Sequence, residues 1–434
     1  MSARVLVTGA GAICGAGRTP EDIWEAARAG RSAFAPIRQW DSSRCPVPLA
    51  AEVADLNPRE LVADRKIHKL IQRTDLFGLY AADNAIDGAG LIAYRNTLAA
   101  AEADAFNERT AVYVGSGGAT YQSNYDFFPL LTTAAGDLKT FGQELTATVN
   151  PMWLLRTLPN NVLCHIGIRH GFKGPNACIT NHGVSGAQAV AEAAAALRAD
   201  EADRAVAVGH HAGIEPQASL YLHSLGLLAA DAVRPFDRAR NGFLLGEGAA
   251  AMVLETAAAA RARAAPVLGE YLGSGCAAEG KELLAVGADG DGLACAITLA
   301  LDDAGIRAAD VGMIVAHGNG TRRSDASEAA AIRHVFGPTP PPVTAFKWAL
   351  GHLMAAAGVM DAVLVLAALR HRAAPGIATL RERDPDCAGV PVSAAAQVPR
   401  SDVAMVVSRG FAGLNVALLF RVPAEAPSSP TPAT

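Results

Sequence analysis

The feature that most constrains this chain is a set of short apolar runs, at 111–114, 204–208, 249–254, 313–316, 404–407 and 416–420, separated by long alanine-rich stretches such as 185–198, 326–334 and 353–371. A run that is apolar at nearly every position leaves no face for water, so each one reads as a strand buried on both sides. The alanine-rich stretches have helical length and propensity. Alternating with the strands, they define an α/β layer architecture. Composition agrees with the large interior this requires: 51% of residues are apolar and 18% charged, against about 25% charged in an average protein. At 434 residues the length allows about two or three domains.

Residues 4–7 read as a further strand leading into a tight glycine turn at Gly9, Gly11 and Gly15. A helix follows, capped by Thr19, with Pro20 in its first position and Asp22 three residues after the cap. These glycines do not make a dinucleotide site, which needs an acidic residue about 20 positions further on, after a second strand. Here a proline-bearing loop at 45–48 follows instead. The net charge of −5, without a long basic run, argues against nucleic acid as a partner. The most apolar stretch, 362–369, meets Arg370, His371 and Arg372 well before about 18 residues accumulate, so no membrane span is expected. The N-terminus enters a strand at once rather than a signal-peptide core. The seven cysteines are scattered, with no C-x-x-C pair, and read as reduced thiols of a cytoplasmic protein. Neighbouring His210 and His211 on a strand point to opposite faces, so no metal site is expected.

The segment 256–266 follows a complete strand and reads as the junction of two halves, 1–258 and 259–423. Residues 424–434 are rich in Pro, Ser and Thr, have nothing with which to build a core, and are expected to form a disordered tail.

Several phrases in one order carry a resemblance: RVLVTGAG from Arg4, LPNN from Leu158, GFKGP from Gly171, RPFDRARNGFLLGEGAAAMVLE from Arg234, AHGNGTRRSDASEA from Ala316, KWALGHLMAAAG from Lys347 and GFAGLN from Gly410. Together they resemble the β-ketoacyl synthases of fatty-acid and polyketide assembly, over nearly the whole chain. The resemblance implies the thiolase fold, two similar halves in α-β-α-β-α layers around a buried helix pair, and usually a dimer. It implies no bound cofactor, but a substrate carried as a thioester on the phosphopantetheine arm of an acyl carrier protein.

In that family a cysteine at the N-terminus of a buried helix takes the acyl chain as a thiolate. Two histidines hydrogen-bond the malonyl thioester carbonyl and stabilise the enolate left when carbon dioxide departs. By resemblance, His317 of AHGNGT and His352 of KWALGH match these histidines, Lys347 matches the family's lysine, and Glu328 the glutamate of its ion pair. Asn319 and Thr321 fall where two threonines grip the phosphopantetheine, Asn319 being a departure. Phe411 matches the gating aromatic, while Ala412 and Leu414 replace a glycine and a threonine, which is expected to stiffen the loop. Arg65, Lys66, Lys69 and Arg73 cluster in 64–75, with Arg65 and Lys69 at the i, i+4 spacing of one helix face. The resemblance places this segment near the pocket mouth, where an acidic carrier would dock.

The decisive departure is at the nucleophile. The family's Gly-Pro, seven residues, Cys-x-Ser-Gly reads here as Gly174-Pro175-NACITNH-Gly183-Val184-Ser185-Gly186, and glycine has nothing to acylate. Cys178, on the strand entering the turn, reads as a small buried hydrophobe. Ser185 falls in the first turn of the helix and is expected to bond a free backbone amide. His182 is expected either to occupy the space of the thiol or to line the pocket. One function that follows is a chain-length-factor-like subunit, paired with a cysteine-bearing ketosynthase in a heterodimer, or with itself. Another is an enzyme that needs no thiol, a malonyl-carrier decarboxylase or a non-condensing acyltransferase using His317 and His352. In a third, His182, Ser185 or Cys178 restores condensation.

Overall fold

The computed structural model describes residues 3–118, 124, 125, 127–281 and 286–422. The tail expected at 424–434 lies outside the described residues. Five strands of a ten-stranded sheet come from the first half of the chain: β1 (Val5–Cys14), β2 (Thr110–Ser116), β3 (Asn176–Ile179), β4 (Arg204–His211) and β5 (Gly248–Thr256). Five more come from the second: β6 (Gly269–Ala278), β7 (Met313–Val315), β8 (Val343–Thr344), β9 (Val403–Gly410) and β10 (Leu414–Arg421). The first set lies in the order β3-β2-β4-β5-β1 and the second in the equivalent order β8-β7-β9-β10-β6. Each begins with parallel pairs and ends with antiparallel ones. The halves therefore repeat one topology. They are joined where Val5, Leu6 and Val7 of β1 pair with Tyr271, Glu270 and Gly269 of β6.

Helix α1 (Pro20–Arg28) starts at Thr19, whose hydroxyl accepts a hydrogen bond from the Asp22 amide at 3.1 Å. Helix α2 (Arg73–Gly88) covers the outer face of β1, β4 and β5. Helix α3 (Ser185–Arg198) packs on strands of both halves, as does α6 (Ala357–Arg370), while α4 (Asp291–Ala304) covers β6 and β10 and α5 (Arg322–Phe336) packs beside α4. Helices α3 and α6 pack against each other between the two sets of strands, and α6 buries nearly its whole circumference, from Ala357 to Leu369. A helix that is apolar all round is stable only inside a protein. The result is the α-β-α-β-α layering of the thiolase-like fold.

Two expectations change. Gly9 and Gly11 do not form a turn, because β1 runs through them to Cys14 with a register shift between Val7 and Gly9; of the three glycines only Gly15 lies in the turn, which Cys14 and Gly17 close with reciprocal backbone hydrogen bonds. A Cβ on Gly9 would lie 2.2 Å from the Ala85 carbonyl, and one on Gly11 2.1 Å from that of Ala81. These glycines let the backbone of α2 rest directly on the strand. The helix expected at 353–371 starts instead with a 3-10 turn, Met354–Ala356, before α6. Among the described residues no helix is long and apolar enough to cross a membrane.

Candidate active site

A cavity of about 580 Å³ opens where β9 ends and α3 begins, and its wall includes Gly183, His317, Asn319, Thr321, His352 and Phe411. His317 sits on the loop after β7. The backbone amides of His317 and Gly318 donate to the two oxygens of Glu328, at 2.7 and 2.9 Å. Glu328, fully buried on α5, thus fixes the loop that presents His317. It does not supply the ion pair expected for Lys347: Lys347 Nζ lies 3.3 Å from Asp361 Oδ2, with side chains 3% and 5% exposed. The reason is local, since both Glu328 oxygens are taken by amides while Asp361, in the first turns of α6, has its carboxylate free for the lysine. Asp361 was missed, although one carboxylate in the otherwise apolar GVMDAVLVLAAL is a signal that could have found it.

The two imidazoles are held alike. His317 Nδ1 accepts from the Arg409 amide at 3.3 Å, and His352 Nδ1 accepts from the Met354 amide at 3.0 Å. An accepting Nδ1 places the proton of a neutral ring on Nε2. The ring centroids are 5.2 Å apart and inclined at 71°. Burial, and next the Lys347 cation, hold both imidazoles well below their usual pKa, so both are neutral at pH 7. Each ring then offers an Nε2–H to the cavity, and two such donors suit a carbonyl oxygen that gains negative charge.

Gly183 lies in a 3-10 turn, His182–Val184, directly ahead of α3. A Cβ built on it would stand 3.6 Å from His352 Cε1 and 2.7 Å from the Arg409 carbonyl oxygen. His182 is exposed and is not part of the cavity wall, so it neither fills the space beside Gly183 nor lines the pocket. His182 holds φ 47°, and its ring stands nearly perpendicular to that of Phe411, with centroids 5.7 Å apart. Ser185 is fully buried; its hydroxyl donates to the His182 carbonyl at 2.9 Å and accepts from the Asn181 amide at 2.7 Å. Cys178, on β3, donates its thiol proton to the Pro159 carbonyl at 3.2 Å. Burial pushes that thiol up to about 11, and Cys178 is not in the cavity wall.

Asn319 Oδ1 accepts from both the amide and the hydroxyl of Thr321, each at 2.9 Å, so these two side chains are tied to each other at the cavity. Phe411 opens a tight turn, Phe411–Gly413, in which Ala412 holds φ 64°, a conformation that strains a residue with a Cβ. Arg65 and Lys69 do not share an α-helical face. An Asx turn from Asp64 to the Lys66 amide (2.9 Å) leads into a 3-10 turn, Ile67–Lys69, and α2 begins only at Arg73. Arg65, Lys66 and Lys69 are exposed. Arg73 is not part of that surface, because its guanidinium is engaged by the fully buried Glu247 and the Val53 carbonyl. His210 Nδ1 meets Thr74 Oγ1 at 3.0 Å, and the His211 ring lies against Gly117 and Gly213. No group of side chains suited to a metal ion occurs among the described residues.

A doubled α/β half-fold with two neutral histidines in one cavity wall defines the class of protein as thiolase-like, and comparison gives the family. Residues 2–260 match the family model of the beta-ketoacyl synthase N-terminal domain, and residues 268–381 that of the C-terminal domain. The chain belongs to the β-ketoacyl synthase family. It is similar to the 3-oxoacyl-[acyl-carrier-protein] synthase 2 of Coxiella burnetii (strain RSA 493 / Nine Mile phase I), 31% identical over 426 residues, 96% of this chain and 98% of that protein. Among solved structures it is similar to the ishigamide ketosynthase/chain length factor, with a TM-score of 0.85 and 31% identity over 98% of this chain and 100% of that one. It is also similar to a beta-ketoacyl synthase from Burkholderia phymatum STM815, with a TM-score of 0.85 and 26% identity over 97% of this chain and 100% of that one.

Proposed function

We propose that this chain is a β-ketoacyl synthase homologue without the cysteine nucleophile, acting in fatty-acid or polyketide synthesis as a chain-length-factor-like subunit. It pairs with a cysteine-bearing ketosynthase, and its cavity receives the phosphopantetheine arm of an acyl carrier protein. The observation that carries this reading is Gly183, which stands at the head of α3, in the cavity wall beside His352, with no side chain to hold an acyl group. The candidates for a substitute nucleophile argue the same way. The Ser185 proton is directed to a carbonyl, the Cys178 thiol is protonated and outside the wall, and His182 faces solvent. The similarity to a ketosynthase/chain length factor supports the partnership, and the exposed Arg65, Lys66 and Lys69 support docking of an acidic carrier.

One observation favours a second reading. Two neutral imidazoles, each with its proton on Nε2, stand in the wall of one cavity, which supports an enolate site, and decarboxylation of a malonyl-carrier needs no thiol. One assay separates the two. The isolated protein is given malonyl-carrier, and carbon dioxide release is measured with and without a coexpressed cysteine-bearing ketosynthase. Under the partner reading, release and chain extension require the ketosynthase, and no acyl adduct forms on this chain by intact mass. Release by the protein alone, lost in His317→Ala and His352→Ala, would replace the partner reading with the decarboxylase.

A further inference from the structure

We propose that Arg409 is a positioning residue that closes the position at 183, fixing the backbone of 408–410 so firmly against Gly183 that only glycine fits there. Its functional meaning rests on 183 being the nucleophile position of the family; its geometry does not. The Arg409 carbonyl oxygen would lie 2.7 Å from a Cβ on residue 183, well inside van der Waals contact. The flexible end of a side chain would yield to such an approach, but this oxygen belongs to a strand backbone tethered from several sides. On one side the Arg409 amide donates to His317 Nδ1 at 3.3 Å, and the Ser408 hydroxyl donates to the Gly183 carbonyl at 3.0 Å.

The side chain supplies the remaining tethers. The guanidinium, 5% exposed, donates to Asn415 Oδ1 on β10 at 3.0 Å, to the Ser324 carbonyl on α5 at 3.1 Å, to Ser327 Oγ at 3.2 Å and to Glu279 Oε1 at 2.7 Å. Glu279, 1% exposed, is held in turn by the Gly287 amide at 2.6 Å, and its own amide donates to the Gly413 carbonyl at 2.9 Å. One buried arginine therefore locks the end of β9 to the next strand, to α5 and to the segment after β6, and the Phe411 turn is held within that lock. A cysteine introduced at 183 would meet a carbonyl that has nowhere to retreat, so on this geometry replacing glycine by cysteine does not by itself restore an acyl-accepting thiol.

The test compares Gly183→Ala in two backgrounds, the unaltered chain and Arg409→Leu/Glu279→Gln, which removes both charges together so that neither is left buried and unpaired. Gly183→Ala should lower the melting temperature by roughly 1–3 °C in the unaltered chain, the range expected of an overpacked core position in a chain of this length. In the double-substituted background the drop should be less than half as large. The same comparison in Arg409→Lys, which keeps the charge facing Glu279 but loses the bonds to Asn415 and Ser324, should give an intermediate drop. In parallel, the thiol of Gly183→Cys should react with iodoacetamide, followed by intact mass, about 10-fold faster or more once Arg409 is replaced, because access and thiolate formation govern that rate. A Gly183→Ala variant that folds only in the altered backgrounds would support the proposal equally. An unchanged melting temperature in the unaltered chain, or equal drops in all backgrounds, would overturn it. These readouts report only the room at 183, so their failure leaves the partner reading standing. Chain extension by the unaltered protein alone would sink that reading without touching them.

Discussion

Lys347 is the common cation beneath both imidazoles, and its removal should be felt in stability and in the histidines separately. At 3.3 Å from Asp361 the pair attracts by about 5 kcal/mol at an effective dielectric near 20. The net loss on removing one member of a buried pair is about 3–5 kcal/mol, much of it the penalty of the charge left behind. Lys347→Met should therefore lose about that much in urea unfolding followed by circular dichroism. Lys347→Met/Asp361→Leu, which buries no charge, should return to within about 1 kcal/mol of the unaltered protein. Lys347→Met/Glu328→Gln should not recover, because Glu328 serves the amides of His317 and Gly318 and not the lysine. In Lys347→Met and in Lys347→Met/Asp361→Leu the imidazole pKa values, read from nitrogen-15 histidine NMR, should rise, since the depressing cation has gone while burial remains. Recovery through Glu328 rather than Asp361, a loss below about 1 kcal/mol for Lys347→Met, or histidine pKa values that do not move would each refute this account of the site.

Three further outcomes are expected. Lys66→Glu/Lys69→Glu should weaken acyl-carrier binding at low salt by an amount that shrinks as ionic strength rises, and unchanged affinity at low salt would remove this surface from docking. Cys178, with its pKa pushed up to about 11, should react with iodoacetamide at pH 8 roughly 100-fold more slowly than exposed Cys295, as peptide mapping would record, because the thiolate is the reactive form. His210 is held at about 4 by burial, so the unfolded chain takes up the proton first as pH falls. Its contribution to stability is complete above about 6.5, and about 2 kcal/mol of it is lost between pH 7 and pH 5. Urea unfolding of His210→Gln should fall by about that much less over this interval, and equal falls would mean that His210 is not held neutral.

The fold was legible because burial on both faces writes itself into single segments. The run 249–254 lies within β5 and the run 404–407 within β9, and Ser185–Arg198 is a helix with the bounds its alanine-rich pattern marks. What local pattern cannot carry is the distance between elements. Gly9 and Gly11 look like a turn when read along the chain, and only the approach of the α2 carbonyls to within 2.2 Å of their missing Cβ atoms shows them to be strand residues under a helix. Arg65 and Lys69 failed for the opposite reason. Their spacing is helical, but Asp64 bonds the Lys66 amide, and that local competitor for the backbone prevails over the pattern.

The site divides along the same line. Histidines 317 and 352 could be placed from residue type and motif spacing, but the partner of Lys347 could not, because the choice between Glu328 and Asp361 turns on which carboxylate still has an unsatisfied oxygen, and that is settled across three helices. Arg409 was invisible for a related reason: an arginine before Gly-Phe reads as an ordinary surface charge until its four acceptors are seen to lie on three other segments. Under the proposed function these residues belong together. The face of the cavity that would bind a thioester carbonyl keeps two neutral donors, a buried ion pair beneath them and a glutamate anchoring their loop. The face that would hold an acyl group offers a glycine pressed against a fixed carbonyl. A pocket that had simply lost its nucleophile would have no reason to keep the first face ordered while the second is closed: the closed face supports leaving the covalent step to a partner, the ordered face supports decarboxylation, and carbon dioxide release by the isolated protein decides between them.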